Sequence, residues 1–437
     1  MYYYITIASN FIIGFDKYKK IYSKRNLTHS TFANQFFLLK KEEFGIGIAK
    51  AKKLLEKVAI KEDFLIVLGT KLNHQKTFKD HSTGLGQYIK QNYIFLDEVS
   101  VFEDENYEIL VSKRIEDITA LSYRLNFDLK KEYKTLSPRS ISILPVKNGC
   151  QASCDFCFST YSVSEDLEKG LLQNDTIEYF LKLSKEKGAS RAVITGGGEP
   201  TLIKEEVLFD IIEKCAKYFP AKVVMITNGY CYATQSFDKI EEQLERLTQK
   251  GLTNLSLSVH HYNRAKNTQI MHLDNPIENI LEVFRDNRFS LVLRLICVLQ
   301  KEGINSHKEI SNYLKWAGSF GIKEICFKEL YVATSLESYY FEYSANDFSY
   351  ENQISLSLVI DFCEQNGFKQ VATLPWGSPL YEGYFEGNFF SIACYTEPSL
   401  HWELLHKLSR SWNIMSNGEC LASLEDKSSF IEKEDKG

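Results

Sequence analysis

The stretch Ser140-Ile141-Ser142-Ile143-Leu144-Pro145-Val146-Lys147-Asn148-Gly149-Cys150-Gln151-Ala152-Ser153-Cys154-Asp155-Phe156-Cys157-Phe158 runs from an apolar strand pattern into three cysteines. Their spacing is C-x3-C-x2-C. Three thiolates so spaced on a short loop can wrap one face of an iron–sulfur cube. Ferredoxin-type clusters normally take four thiolates, so a set of three leaves one iron open to another ligand. A structural zinc site is the alternative, and it wants four closed ligands, typically in C-x2-C pairs. Neither a second pair nor a nearby His completes one here. Cysteines of an ordinary core have no need of this spacing directly after a strand.

Downstream, strand patterns and helix patterns alternate. Strands are expected over 140–146, 191–195, 222–227, 254–259, 290–299 and 324–330. Helices are expected over 176–187, 205–218, 239–250, 276–286 and 307–320. Apolar strands separated by helices at this interval imply parallel βαβ units. Six units give an α/β fold, a partial (β/α)6 TIM-like barrel, whose chemistry belongs at the C-terminal ends of the strands.

Residues 1–137 read as a separate N-terminal α/β accessory domain. Strands are expected at 64–69, 93–96 and 107–111, with a helix over 46–58. Ser137-Pro138-Arg139-Ser140 punctuates the boundary, so the barrel core is assigned to 138–335. Residues 336–437 read as a C-terminal extension that closes the barrel mouth. Its last dozen residues, rich in Lys, Glu, Asp and Ser, read as a frayed, disordered tail.

At the cysteines the chain resembles the radical S-adenosylmethionine (SAM) superfamily, whose motif is C-x3-C-x-aromatic-C, with Phe156 at the aromatic position. The resemblance covers roughly 140–335. It implies a [4Fe–4S] cluster on Cys150, Cys154 and Cys157, with SAM chelating the open iron. One-electron reduction then cleaves SAM to methionine and a 5′-deoxyadenosyl radical, which abstracts hydrogen from a substrate. An electron donor such as flavodoxin or ferredoxin is implied as partner.

Further motifs close successive strands. Thr195-Gly196-Gly197-Gly198-Glu199-Pro200 is by itself a flexible turn. In this position it looks like the family's Gly-Gly-Glu motif, which implies that Gly197, Gly198 and Glu199 position the methionyl amine of SAM. A carboxylate at a pocket rim suits an ammonium through a charge-assisted hydrogen bond. Asn228 of Thr227-Asn228-Gly229 either lines the pocket or only ends a strand. Ser256, Ser258 and His260 share one face by period-two alternation. Ser258 matches a family position whose hydroxyl contacts SAM, and His260 sits where members carry Asp or His; the other reading of His260 is a histidine satisfied by a neighbouring backbone group. Arg294 is a lone charge in an apolar run and needs a partner, either a ligand carboxylate or an acid such as Glu329. His260 and Arg294 are the candidate catalytic pair, expected together near SAM. Lys328 and Glu329 either face substrate or form a plain salt bridge, and the salt bridge is the favoured reading.

Composition narrows the classes. The 437 residues are 44% hydrophobic and 25% charged, ordinary for a globular protein. A formal charge of -5 offers no global basic field, so non-specific nucleic-acid binding is not expected. The opening Met1-Tyr2-Tyr3-Tyr4 lacks the charge of a signal peptide, and no apolar run is long enough to span a membrane. A cytoplasmic protein with no membrane partner is expected. Three functions compete: a radical SAM enzyme for a small metabolite or nucleotide-like molecule, one modifying a ribosomal peptide, and a non-catalytic metal-binding protein. Peptide-modifying relatives often carry a Cys-rich tail with further clusters. Here the tail holds only Cys363, Cys394 and Cys420, widely spaced, which favours the small molecule and a single cluster.

Overall fold

A computed structural model describes residues 132–146, 149–158, 174–285, 289–332, 338–340, 343–398, 403–404 and 406–433, and the backbone of five N-terminal strands. Two compact units emerge, one of 1–131 with 332–341, the other of 132–331 with 342–437.

In the first unit, β1 (Tyr3–Ile7), β2 (Leu38–Lys40), β3 (Leu65–Thr70), β4 (Ser100–Glu103) and β5 (Tyr107–Ser112) form one sheet in the order β2-β1-β3-β5-β4. Only β1 and β3 run parallel. The expected helix over 46–58 and strand over 93–96 lie outside the described residues.

The second unit opens with β6 (Ser137–Pro138), which pairs with a later two-residue strand. The barrel strands follow as β7 (Ile141–Ile143), β8 (Ala192–Ile194), β9 (Val223–Thr227), β10 (Asn254–Ser258), β11 (Val292–Leu299) and β12 (Glu324–Glu329). Each pairs in parallel with the next. Helices Asn174–Glu186, Glu205–Tyr218, Phe237–Gln249, Glu278–Arg285 and His307–Ser319 fall in the five intervals, as the alternation predicts. Burial alternates along β12, where Ile325, Phe327 and Glu329 are buried and Glu324, Cys326 and Lys328 half-buried. Phe327 meets Tyr313 of the flanking helix edge-on, ring centres 5.5 Å apart. That face therefore packs on the helices, and Cys326 and Lys328 look into the lumen.

The C-terminal extension differs from the expected lid. Its β13 (Lys369–Thr373), β14 (Pro379–Phe385) and β15 (Asn388–Tyr395) extend one edge, with β15 parallel to β12. After β16 (Leu408–Ser409), the partner of β6, β17 (Trp412–Ile414) joins the other edge parallel to β7, followed by β18 (Cys420–Leu421). The extension thus lengthens the barrel sheet on both sides. Strand pairing explains it: β7 and β12 would otherwise expose unpaired backbone along a whole edge. The expected frayed tail also needs correcting up to Lys433. Ser429 and Ile431 are buried, and Phe430 bridges to Leu421.

Candidate active site

The chain leaves β8 through Gly196, Gly197 and Gly198, with φ of 27°, 75° and 139°. A Cβ on Gly198 would lie 2.2 Å from the carbonyl oxygen of Gly149, and one on Gly197 would lie 2.8 Å from that of Val146. Both carbonyls belong to the segment leading into the cysteines. Only glycine permits this backbone-to-backbone approach. The amide of Glu199 then donates to Gly149 O at 2.9 Å and pins the cysteine loop to the motif.

Glu199 departs from the expected rim position, being only 3% exposed. Its Oε1 accepts from the amide of Thr201 at 3.1 Å, the hydroxyl of Thr201 at 2.7 Å and the hydroxyl of Thr227. Its Oε2 accepts from the amide of Asn228 at 2.8 Å. Burial raises its pKa, while these four donors pull the other way. A carboxylate offers about four acceptor directions, so this one is taken up by its own chain. It ties the end of β9 to the end of β8. Thr201, in the short turn after the glycines, and Thr227, at the end of β9, were missed in the sequence because isolated hydroxyls carry no spacing signal.

The cysteine loop is held from several sides. Ser153 N donates to Met271 O at 3.0 Å, and Cys157 N to Cys154 O at 3.0 Å. Asn228 Nδ2 lies 3.5 Å from Cys150 Sγ and 3.2 Å from Gln151 Oε1. Gln151 Nε2 in turn donates to Cys231 Sγ at 3.0 Å. Phe156 meets the His260 ring edge-on at 5.2 Å, and Phe158 meets Tyr331 at 5.9 Å. Asn228, Phe156 and His260 therefore do gather at the cysteines.

His260 is buried, and its Nδ1 accepts from the amide of Val298 at 3.1 Å. That fixes the neutral tautomer with the proton on Nε2. Burial, assisted by the charge of Lys328, lowers its pKa to about 3. Because the folded-state value lies below the ordinary 6.5, the unfolded chain takes up the proton first. Stability is then constant above pH 6.5 and falls as pH drops towards 3. At pH 5 this group should cost about 2 kcal/mol. Urea midpoints against pH would show this slope in wild type and not in His260→Asn, whose amide oxygen can still accept from Val298. Equal slopes would mean that His260 protonates freely.

Arg294 does not join His260, contrary to expectation. It is the third residue of β11, and its Nε and Nη2 donate to one oxygen of Glu324 at 3.0 and 2.7 Å. Val298, which holds His260, lies four residues further along the strand, about 13 Å at the usual rise. The partner is Glu324 and not Glu329, because Arg294 and Glu324 are opposite in register on adjacent strands. Ser256 is opposite Arg294 on β10, and its buried Oγ has no hydrogen-bond partner. Ser258 sits one inward step nearer the strand end.

A further network lies beyond His260. Glu397 accepts from both Lys328 and Arg410, and Tyr331 donates to Glu425. Burial opposes ionisation of Glu397, yet Arg410 and Lys328 hold its pKa down at about 2. The sequence hid this group because Lys328, Glu397 and Arg410 come from three distant segments. Lys328 pairs with Glu397, not with Glu329 as expected.

A [4Fe–4S] cluster fits the cysteine set. None of the three is in a disulfide, and Cys150 is exposed. Burial and then the neighbouring Cys157 and Cys150 push the Cys154 thiol up to about 12, and a thiol that ligates a metal gives up its proton. Among the described residues, no group of three or more His, Cys, Asp or Glu side chains is drawn together around a single point.

Residues 144–314 match the profile of the radical SAM superfamily. The chain carries a radical SAM domain. Its cofactors are accordingly a [4Fe–4S] cluster and SAM, and the protein is an enzyme that uses a one-electron reductant. The radical SAM chain is 24% identical over 309 residues to a GTP 3',8-cyclase of Aquifex aeolicus (strain VF5), covering 69% of this chain and 90% of that protein. It is 29% identical over 195 residues to a GTP 3',8-cyclase of Helicobacter pylori, covering 44% and 56%. Among solved structures, native anSMEcpe with bound AdoMet is similar at a TM-score of 0.41 and 17% identity, covering 66% of this chain and 75% of that one. Among the described residues, no helix is long and apolar enough to cross a membrane.

Proposed function

We propose that this radical SAM enzyme acts on a small nucleotide-like substrate in the cytoplasm, with flavodoxin or ferredoxin as electron donor. The observation that carries the reading is the alignment to a GTP 3',8-cyclase over 90% of that protein's length. When bound, cluster and SAM supply a radical that takes a hydrogen atom from the substrate. The chain's own residues do the rest. Gly197 and Gly198 seat the cysteine loop, and Asn228 donates towards Cys150. Ser258, one inward step nearer the strand end than Ser256, is proposed as the hydroxyl contact for SAM. His260 offers a neutral Nε2–H beside Phe156. Lys328, Glu397 and Arg410 form a charged wall in the same lumen.

The test supplies SAM, a reductant and each purine or pyrimidine nucleoside triphosphate in turn. One of them should speed 5′-deoxyadenosine release about tenfold over the background, because substrate binding energy is spent on the chemical step. It should also be consumed. Release that is equally slow with every nucleotide would refute the substrate class while leaving the SAM chemistry standing.

A further inference from the structure

We infer that the N-terminal end of the barrel lumen is a phosphate-binding subsite formed by Arg139, Arg191 and Lys222. Arg139 precedes β7, Arg191 immediately precedes β8 and Lys222 immediately precedes β9, three strands that neighbour one another in that order. The pairing of Ala192 with Val223 brings positions 191 and 222 side by side. Arg294 lies within Coulombic range of both. Four cations thus share this end of the lumen, and Lys222 feels all three arginines.

Glu324 acts on Lys222, and Arg294 already holds it with two hydrogen bonds; for Arg139 and Arg191 the group that opposes burial is the Tyr395 phenol. Arg139 Nη1 and Arg191 Nε are buried and have no hydrogen-bond partner among the described residues. Arg139 lies over the Trp376 ring at 5.2 Å, which orients its fork without neutralising it. Arginine does not shed its proton in a protein, so the charge stays. Burying such groups unpaired is costly unless a ligand compensates. Burial is the main cause that depresses the pKa of Arg139, Arg191 and Lys222, and neighbouring cations add to it for the last two. Three half-buried cations at neighbouring strand starts, two of them with an orphaned buried nitrogen, are arranged for an anion of more than one charge. Planar guanidinium forks suit phosphate oxygens in particular.

The subsite is connected to the cysteine end. Tyr395 interacts electrostatically with Arg139 and Arg191 on one side and with Lys328 and Arg410 on the other. Lys328 in turn acts on His260. The span from Arg294 to Val298, about 13 Å, suits a nucleoside polyphosphate with its reacting part below the cysteine loop and its phosphates on the cations. This assignment rests on the nucleotide reading above and adds where the phosphates go.

Inorganic pyrophosphate is the probe, titrated into the reconstituted full-length protein against chloride at equal ionic strength, with guanosine as the phosphate-free arm. Pyrophosphate should bind and raise the melting temperature, and guanosine should bind more weakly than guanosine triphosphate. Arg191→Gln should weaken pyrophosphate binding by about tenfold, one charge-assisted hydrogen bond's worth. It should also melt no lower than wild type without ligand, because it relieves cation repulsion. Lys222→Gln provides the same comparison should Arg191→Gln fail to fold. Pyrophosphate binding no better than chloride, or variants that bind it as tightly as wild type, would overturn the subsite. Nucleotide-stimulated 5′-deoxyadenosine release, measured on the same preparation, separates the two ideas. Stimulated release without pyrophosphate binding rejects only the subsite, and pyrophosphate binding without stimulation rejects only the substrate reading.

Discussion

Replacing Cys150, Cys154 and Cys157 together by Ala yields a colourless protein with no iron after anaerobic reconstitution, whereas wild type takes up about four irons per chain, one cube's content. Release of 5′-deoxyadenosine falls to the level without protein. The fold survives, because Cys150 is exposed and the other two are half-buried, so their loss opens little cavity. The count of about four follows from where the other thiols sit. Cys215, Cys297, Cys363, Cys394 and Cys420 are buried at 1% exposure or less, on separate helices and strands. The neighbouring Cys363 thiol is the leading cause that raises the pKa of Cys394, with burial next. Burial is the leading cause that raises the thiol pKa of Cys215, Cys297 and Cys420, as expected of inert core sulfur. Iron analysis of wild type and the triple variant, with far-ultraviolet circular dichroism as the folding check, decides it. Wild-type iron near twice this value that falls when Cys363, Cys394 and Cys420 are replaced would show a second cluster and favour a peptide substrate.

The barrel was legible because its signal is periodic. The expected helix over 205–218 matches the observed Glu205–Tyr218, and each expected barrel strand contains the observed one. The cysteine loop was legible because its ligands are local. What the sequence did not disclose was non-local. The Trp412–Ile414 segment is too short to carry a periodic signal, and pairing with the free edge of β7 makes it a strand. Arg294 looked functional because it is a single charge in an apolar run. Its partner Glu324 is the first residue of the next strand, visible only once β11 and β12 are in register. The Lys328–Glu397–Arg410 group has the same origin, three segments meeting in one lumen.

Glu199→Ala shows why this matters for a motif residue. If the carboxylate stood at a pocket rim to meet the SAM amine, the variant would lose SAM affinity and keep its melting temperature. The structure leads to the opposite expectation. Four donors, from Thr201, Thr227 and Asn228, converge on a side chain 3% exposed. Removing it orphans two buried amides and leaves two hydroxyls to find other acceptors, at about 1–3 kcal/mol for each unsatisfied group. A loss of about 3 kcal/mol or more is expected, on the order of 5 °C or more in melting temperature. Iron content should fall with it, since Asn228 reaches Cys150 and the Glu199 amide holds Gly149. Glu199→Gln keeps the volume and one carbonyl oxygen, but turns an NH2 towards a donor, so it should recover only part of the loss. Scanning calorimetry, iron analysis and SAM titration on the three proteins separate the roles. A Glu199→Ala protein with wild-type melting temperature and iron content, weakened only in SAM binding, would return the carboxylate to the rim.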